Sequence, residues 1–185
     1  VRTANPERIL QAIKKSHVVD THEEVTEVMV HWGLEETQAL CKLGISKAPS
    51  PIQKDYDWPG LFKPMEHQKS TASFLTLNKR SFCFNEQGTG KTASAIWAAD
   101  YLMEHKVIRR VLVVCPLSIM QSAWQADLFK FAVHRKVGIA HGDRTKRKAV
   151  INSDADFVVI NYDGIETVAD DIAAAGFDLI IIDEA

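Results

Sequence analysis

The stretch "EQGTGKT", Glu86 to Thr92, places two glycines, a lysine and a threonine where an apolar run gives way to an amphipathic one. At a strand-to-helix junction, successive backbone N–H groups and the helix N-terminus form a cradle for a phosphate chain. Gly88 and Gly90, on either side of Thr89, permit the tight backbone such a cradle needs. From the head of the helix Lys91 can reach β- and γ-phosphate oxygens, and the Thr92 hydroxyl can ligate Mg²⁺. The general pattern G-x-x-x-x-G-K-[ST] would begin with glycine at position 85, where this chain has Asn85.

A second constellation fits the first. The run "LIIIDEA" is an apolar strand ending in two acids. Asp183 at its tip could hold Mg²⁺ through water, and Glu184 could orient or deprotonate an attacking water. Taken alone, acids after a strand often cap the next helix. Paired with the loop, they complete a site for a nucleoside triphosphate.

Both constellations need a β/α framework. Short apolar runs alternate with amphipathic stretches, the pattern of parallel strands joined by crossover helices. Strands are expected at "RSFCFN", "RRVLVVC", "KVGIAH", "DFVVINY" and "FDLIIID". Helices are expected at "KTASAIWAADYLMEH", "SIMQSAWQADLFKFA", "DRTKRKAVIN" and "IETVADDIAAAG". Runs so continuously apolar suit a sheet covered on both faces.

Upstream, Asn5 can cap a helix in "NPERILQAIKK" with Pro6 in its first turn. The segment "EEVTEVMVHW" fits either period, and its β-branched content favours a strand. "LEETQALCKLG" reads as a helix with Gly44 beyond its end, and "SKAPSPIQKDYDWPG" as a Pro-rich connector. The expected organisation is a small α/β extension over 1–60 and a main α/β domain over 61–185.

The 185 residues are 46% hydrophobic, enough to fill a core. With 22 Lys and Arg against 24 Asp and Glu, the net charge of -2 excludes bulk attraction to nucleic acid or membrane, so a polyanion needs a local patch. Cys41, Cys83 and Cys115 lack metal or redox spacing. Cys83 and Cys115 lie in apolar runs that suggest buried strands, and a reducing, cytoplasmic setting is expected. No membrane-length apolar run is present, and the histidines show no ligand spacing. Val1 at the start and "IIIDEA" at the end suggest part of a longer protein.

In order, "FKPMEHQ", "EQGTGKT", "VLVVCPLSIMQSAW", "HGDRTKR", "VVINYDGI" and "LIIIDEA" resemble the first half of superfamily-two helicases and translocases. The match is closest to Swi/Snf-type ATPases and their phage-encoded, DEAD/DEAH-box-like helicase relatives, and it covers roughly 61–185. The resemblance implies a RecA-like P-loop NTPase domain, a three-layer sandwich on a mostly parallel sheet. Many members keep only the inner G-x-G-K-T, so Asn85 is a tolerated departure. Gln87 departs from the apolar residue usual in Swi/Snf-type proteins.

The same resemblance implies ATP and Mg²⁺ as ligands. Gly88, Thr89, Gly90, Lys91 and Thr92 would bind the phosphates, Lys91 and Glu184 would serve catalysis, and Thr92 and Asp183 would hold the metal. Gln68, otherwise an exposed helix glutamine, would read the adenine edge, because one amide offers the donor and acceptor that N6 and N7 require. Phe62 could wall the base or belong to the core.

Nucleic acid, DNA in the first place, would be the partner, with candidate contacts at Ser118, Arg147, Asn161 and Tyr162. Each has a structural alternative. Ser118 opens an S-x-x-Q capping box with Gln121. Arg147 could buttress the domain, and Tyr162 could cap a strand. Trp124 follows helical spacing and is expected to pack on the sheet. In relatives a second RecA-like domain supplies arginines to the transferring phosphate, and this chain carries no counterpart, so slow turnover is expected of it alone. Competing functions are the ATPase subunit of a DNA restriction or packaging complex and a non-catalytic P-loop scaffold. Oligomeric state is not legible.

Overall fold

The apolar runs from Val111 onward form the parallel sheet that their composition demands. A computed structural model describes residues 1–45 and 47–184, so Ser46 of the connector and Ala185 of "DEA" lie outside the described residues. In chain order the elements are β1 Arg2–Thr3, α1 Pro6–Ala12, β2 Ser16–His22, β3 Val25–Val30, α2 Leu34–Lys42, α3 Ile52–Asp55, α4 Glu66–Leu77 and α5 Lys91–Glu104. There follow β4 Val111–Cys115, a π-helical turn Met120–Gln125, α6 Ala126–Phe131, β5 Val137–Ala140, α7 Arg144–Ile151, β6 Phe157–Asn161, α8 Tyr162–Thr167, α9 Ala169–Ala174 and β7 Leu179–Ile182. The chain divides into two units, Val1–Tyr56 with Ser73–Phe82, and Asp57–Ala72 with Cys83–Ala185.

In the first unit β1, β3 and β2 form an antiparallel sheet in that order. Its core joins Ile9 and Ile13 of the α1 region to Val28 of β3 and Leu40 of α2. Asn5 does not cap α1 with its side chain; its N–H instead donates to Thr3 Oγ1 at 3.1 Å. Two buried hydroxyls, Ser50 and Thr76, share a 2.7 Å hydrogen bond, and Gln38 Nε2 donates to Thr76 O at 3.0 Å. These bonds satisfy polar groups that burial would otherwise penalise.

The second unit carries the four-stranded parallel sheet, in the order β5-β6-β4-β7. The central strands β4 and β6 are buried along their whole length, as expected of strands covered on both faces. One face packs Leu112, Val114, Val158 and Ile160 against Ile151 and Val168. Elsewhere in the core, Trp97 of α5 stands edge-on to Phe131 at 4.9 Å and to Trp58 at 5.7 Å, contacts worth about 0.5–1.5 kcal/mol each beyond the area they bury. At the N-terminal end of the strands Arg110 donates to the carbonyls of Ile151, Ala155 and Ala175, and Asp178 accepts from the N–H groups of Arg109 and Arg110.

The expected strand "RSFCFN" does not form. Residues 80–85 carry no ladder, Phe82 and Phe84 are 81% and 90% exposed, and Cys83 is half-buried. An apolar β-branched or aromatic run states a preference for a pleated, half-buried surface, yet a parallel strand forms only where a distant partner offers an edge. The helical expectation near residue 120 is met by the π turn followed by α6, and "IETVADDIAAAG" breaks into α8 and α9 at Val168. No helix among the described residues is long and apolar enough to cross a membrane.

Candidate nucleotide-binding site

The phosphate-loop segment turns through two left-handed glycines, Gly88 at φ 78° and Gly90 at φ 77°, and α5 begins at once with Lys91. Gly88 is needed for its backbone alone, since a Cβ there would meet nothing within 4 Å. Gly90 is needed for its backbone as well, and a Cβ there would lie 2.2 Å from Gln68 Nε2, so the Gln68 amide would have to shift. The Lys91 ammonium lies back across the loop, donating to Asn85 O at 2.9 Å and Glu86 O at 3.1 Å. Thr89 Oγ1 donates to Glu86 O at 2.8 Å, and Thr92 is half-buried in the first turn of α5. Asn85, where a general loop has glycine, ties its amide to Thr71 Oγ1 of α4 at 2.7 Å.

Gln68 sits against this loop. Its Nε2 donates to Thr89 O at 3.2 Å, a carbonyl also contacted by His67 Nε2 at 3.0 Å, while its Oε1 accepts from Met65 N–H at 2.9 Å. Both ends of the amide therefore bond to the protein. Phe62 is 64% exposed and lies outside the core.

Asp183 follows β7 directly. Its N–H donates to Val114 O at 2.9 Å, Tyr162 Oη donates to its carbonyl at 2.7 Å, and Trp124 Nε1 donates to its Oδ2 at 2.8 Å. Glu184 is exposed, with left-handed backbone at φ 55°. Among the described residues, no hydrogen bond or ion pair joins the loop to Asp183 or Glu184. Burial first, then the charges of Asp183 and Glu184, pushes the Cys115 thiol up to about 11. The Tyr162 phenol is raised by burial and then by Asp183. Cys115 is thus an inert core thiol.

The four candidate nucleic-acid contacts separate. Ser118 is exposed, and its expected capping box is absent: no side chain caps the π turn, and Ser122 Oγ donates to Ser118 O instead. Tyr162 is half-buried with its hydroxyl on Asp183. Arg147 is buried and donates to Ala140 O, Gly142 O and Asn161 Oδ1, the last also buried. Arg147 thereby ties the end of β5 and the turn that follows it to the last residue of β6. In the same basic run, Lys148 pairs with Asp171 and Lys146 lies 3.7 Å from Asp143, so much of its charge is already matched. Asp143 caps α7 by accepting from Lys146 N–H.

Gly164 gives this arrangement a measurable consequence. A Cβ there would stand 2.1 Å from Arg147 Nη1 and 2.9 Å from Asn161 Oδ1. The guanidinium is pinned by three acceptors and cannot swing aside. Gly164→Ala is therefore expected to cost about 1–3 kcal/mol of stability, read from urea unfolding, the range for overpacking a tight site.

Trp124 is 1% exposed, packed as expected, but its bond to Asp183 is one that helical spacing could not indicate. Another cluster also lay outside the sequence pattern: Asp100, Glu104 and His134 bring ligand-type atoms within 4.8 Å of one another. Arg135 Nε and His134 Nε2 both bond Asp100 Oδ1, so this is an ion-pair network.

A glycine turn at a helix head, set in a unit with a parallel sheet and an acid at a strand tip, defines a RecA-like P-loop domain. The donor chemistry fits Mg²⁺: the Thr92 hydroxyl and the Asp183 carboxylate are hard oxygens, and Asp183 Oδ1 carries no hydrogen bond from the described residues. Residues 30–185 match the SNF2-related domain, and the chain belongs to that family. It is similar to the Sulfolobus solfataricus SWI2/SNF2 ATPase core solved in complex with dsDNA, at 26% identity and a TM-score of 0.59, over 69% of this chain and 27% of that one. A structure of the Sulfolobus solfataricus SWI2/SNF2 ATPase core domain matches at 24% identity and a TM-score of 0.56, over 71% of this chain and 28% of that one, a likeness of fold. The chain thus spans little more than a quarter of either solved relative. No curated protein matches.

Proposed function

We propose that this chain is the ATP-binding part of a nucleic-acid-dependent motor, with 61–185 as the first RecA-like domain and 1–60 as an extension to it. The observation that carries this reading is the left-handed Gly88 and Gly90 turn delivering Lys91 to the head of α5. The N–H groups of residues 88–92 would cradle the phosphates at the positive end of a 14-residue helix. Lys91 would exchange Asn85 O and Glu86 O for phosphate oxygens, a charge-assisted and stronger pairing. Gln68 would release Thr89 O to meet the adenine edge. Thr92 and Asp183 would hold Mg²⁺, which supplies neutralisation of charge developing on the phosphate oxygens. Glu184, exposed at the strand tip, would orient the attacking water and accept its proton.

Double-stranded DNA is the proposed partner, as in the complex of the Sulfolobus relative. Ser118 would meet a backbone phosphate, a reading its exposure supports. Arg147 and Asn161 are proposed to hold the neighbouring turns in shape, since their polar groups already have protein partners.

The test is thermal unfolding with and without Mg²⁺ and ATP. At a ligand concentration a hundred times Kd, binding adds about 2.7 kcal/mol, or roughly 5–11 °C in Tm for a chain of this size. Lys91→Ala is expected to abolish that rise while leaving the ligand-free Tm nearly unchanged. An undiminished rise in Lys91→Ala would show that the phosphate site lies elsewhere.

A further inference from the structure

Asp183 is fixed from three directions, and only one of them is backbone. The N–H to Val114 O is a sheet bond that any residue could make. The other two tethers come from side chains 59 and 21 residues away in sequence, Trp124 on the carboxylate and Tyr162 on the carbonyl.

The Trp124 indole offers one N–H and no acceptor, so it can only donate, and the Asp183 carboxylate takes that bond. By taking Oδ2 it restrains the carboxylate and leaves Oδ1 without a hydrogen bond from the described residues. Tyr162, donating to the carbonyl of the same residue, holds the backbone from which that carboxylate projects. Trp124 itself is placed by a π-helical turn, a local widening that recurs at functional sites. Burial alone would be served as well by phenylalanine.

We propose that Trp124 and Tyr162 are positioning residues for Asp183, together aiming its free oxygen toward the metal. The proposal rests on the reading of Asp183 as a Mg²⁺ ligand.

Mn²⁺ serves as the probe, its binding followed by electron paramagnetic resonance in the presence of a non-hydrolysable ATP analogue. Trp124→Phe and Tyr162→Phe each keep the ring and remove the donor. Each is expected to weaken Mn²⁺ binding about tenfold, the lower end of what loss of a ligand's outer hydrogen bond costs. Affinity for the analogue in EDTA should stay unchanged, which a general loosening of the fold would not allow. Asp183→Asn separates the failures. If it abolishes Mn²⁺ binding while both phenylalanine variants bind like the parent chain, the positioning proposal is wrong and the metal assignment stands. If Asp183→Asn leaves Mn²⁺ binding intact, both fall. Should Trp124→Phe not fold, Tyr162→Phe, which loses only a half-buried hydroxyl, still decides the matter.

Discussion

Arg135→Met is expected to cost about 3–5 kcal/mol of stability, clearly more than Asp100→Asn, although the two remove the same ion pair. The reason is which charge is left behind. The Asp100 side chain is 0% exposed and that of Arg135 is 18% exposed. Arg135 Nε lies 2.5 Å from Asp100 Oδ1, and Nη2 lies 3.4 Å from Asp100 O. Removing the arginine leaves a buried carboxylate on α5 without its guanidinium, with the contact from His134 Nε2 remaining at 2.9 Å. Removing the aspartate leaves a guanidinium that can still reach solvent. Equal losses in urea unfolding would contradict this account. The variant should also carry a pH signature. Burial and then Asp100 raise the Glu104 carboxyl, while Arg135 opposes them. Taking Arg135 away lets Glu104 rise further. For an acid raised on folding, the folded state binds more protons than the unfolded one, so stability falls as pH climbs from the ordinary carboxylate value to the raised one. That fall should be steeper in Arg135→Met than in the parent.

What the sequence disclosed and what it hid divide along locality. The loop at 86–92 was legible because glycine backbone, lysine reach and helix start are set by adjacent residues. The sheet strands from β4 to β7 were legible because continuous apolar runs separated by amphipathic stretches have few other uses. Residues 80–85 have the same local character as those strands yet form none, because strand formation depends on an edge far away in the chain. The S-x-x-Q box at Ser118 failed for a related reason: a tertiary bond from Trp124 to Asp183 accompanies a π turn where local capping predicted an ordinary helix start. Within "HGDRTKRK" four basic residues look alike in composition. Arg147 differs in standing four before Ile151, and both are buried on α7, a phase that could have marked it as facing the sheet. Nothing local marks Trp124, Tyr162 and Asp183 as partners, and the same holds for Asp100 and Arg135.

Hydrolysis by this chain alone is expected to be slow, on the order of 10³ to 10⁵ below that of the same domain joined to a second RecA-like domain that supplies an arginine to the transferring phosphate. Two observations argue for a gap of that size. Lys91 is engaged with Asn85 O and Glu86 O, so its charge must be re-aimed before it can steady phosphate oxygens. Asp183 is tied to Trp124, Tyr162 and β4, and no hydrogen bond or ion pair among the described residues joins Asp183 or Glu184 to the loop, so the proposed metal ligand and the proposed phosphate loop are not linked within the chain. Closing them from outside would convert a bound nucleotide into a reacting one, and preorganised charge at the developing phosphate is the larger part of catalysis in such sites. Phosphate release should therefore be near background for the chain with or without duplex DNA, and should rise by that factor in a longer protein that carries the second domain, with the rise lost in Glu184→Gln. Brisk, DNA-stimulated release by these 185 residues alone would mean that no arginine from a second domain is needed.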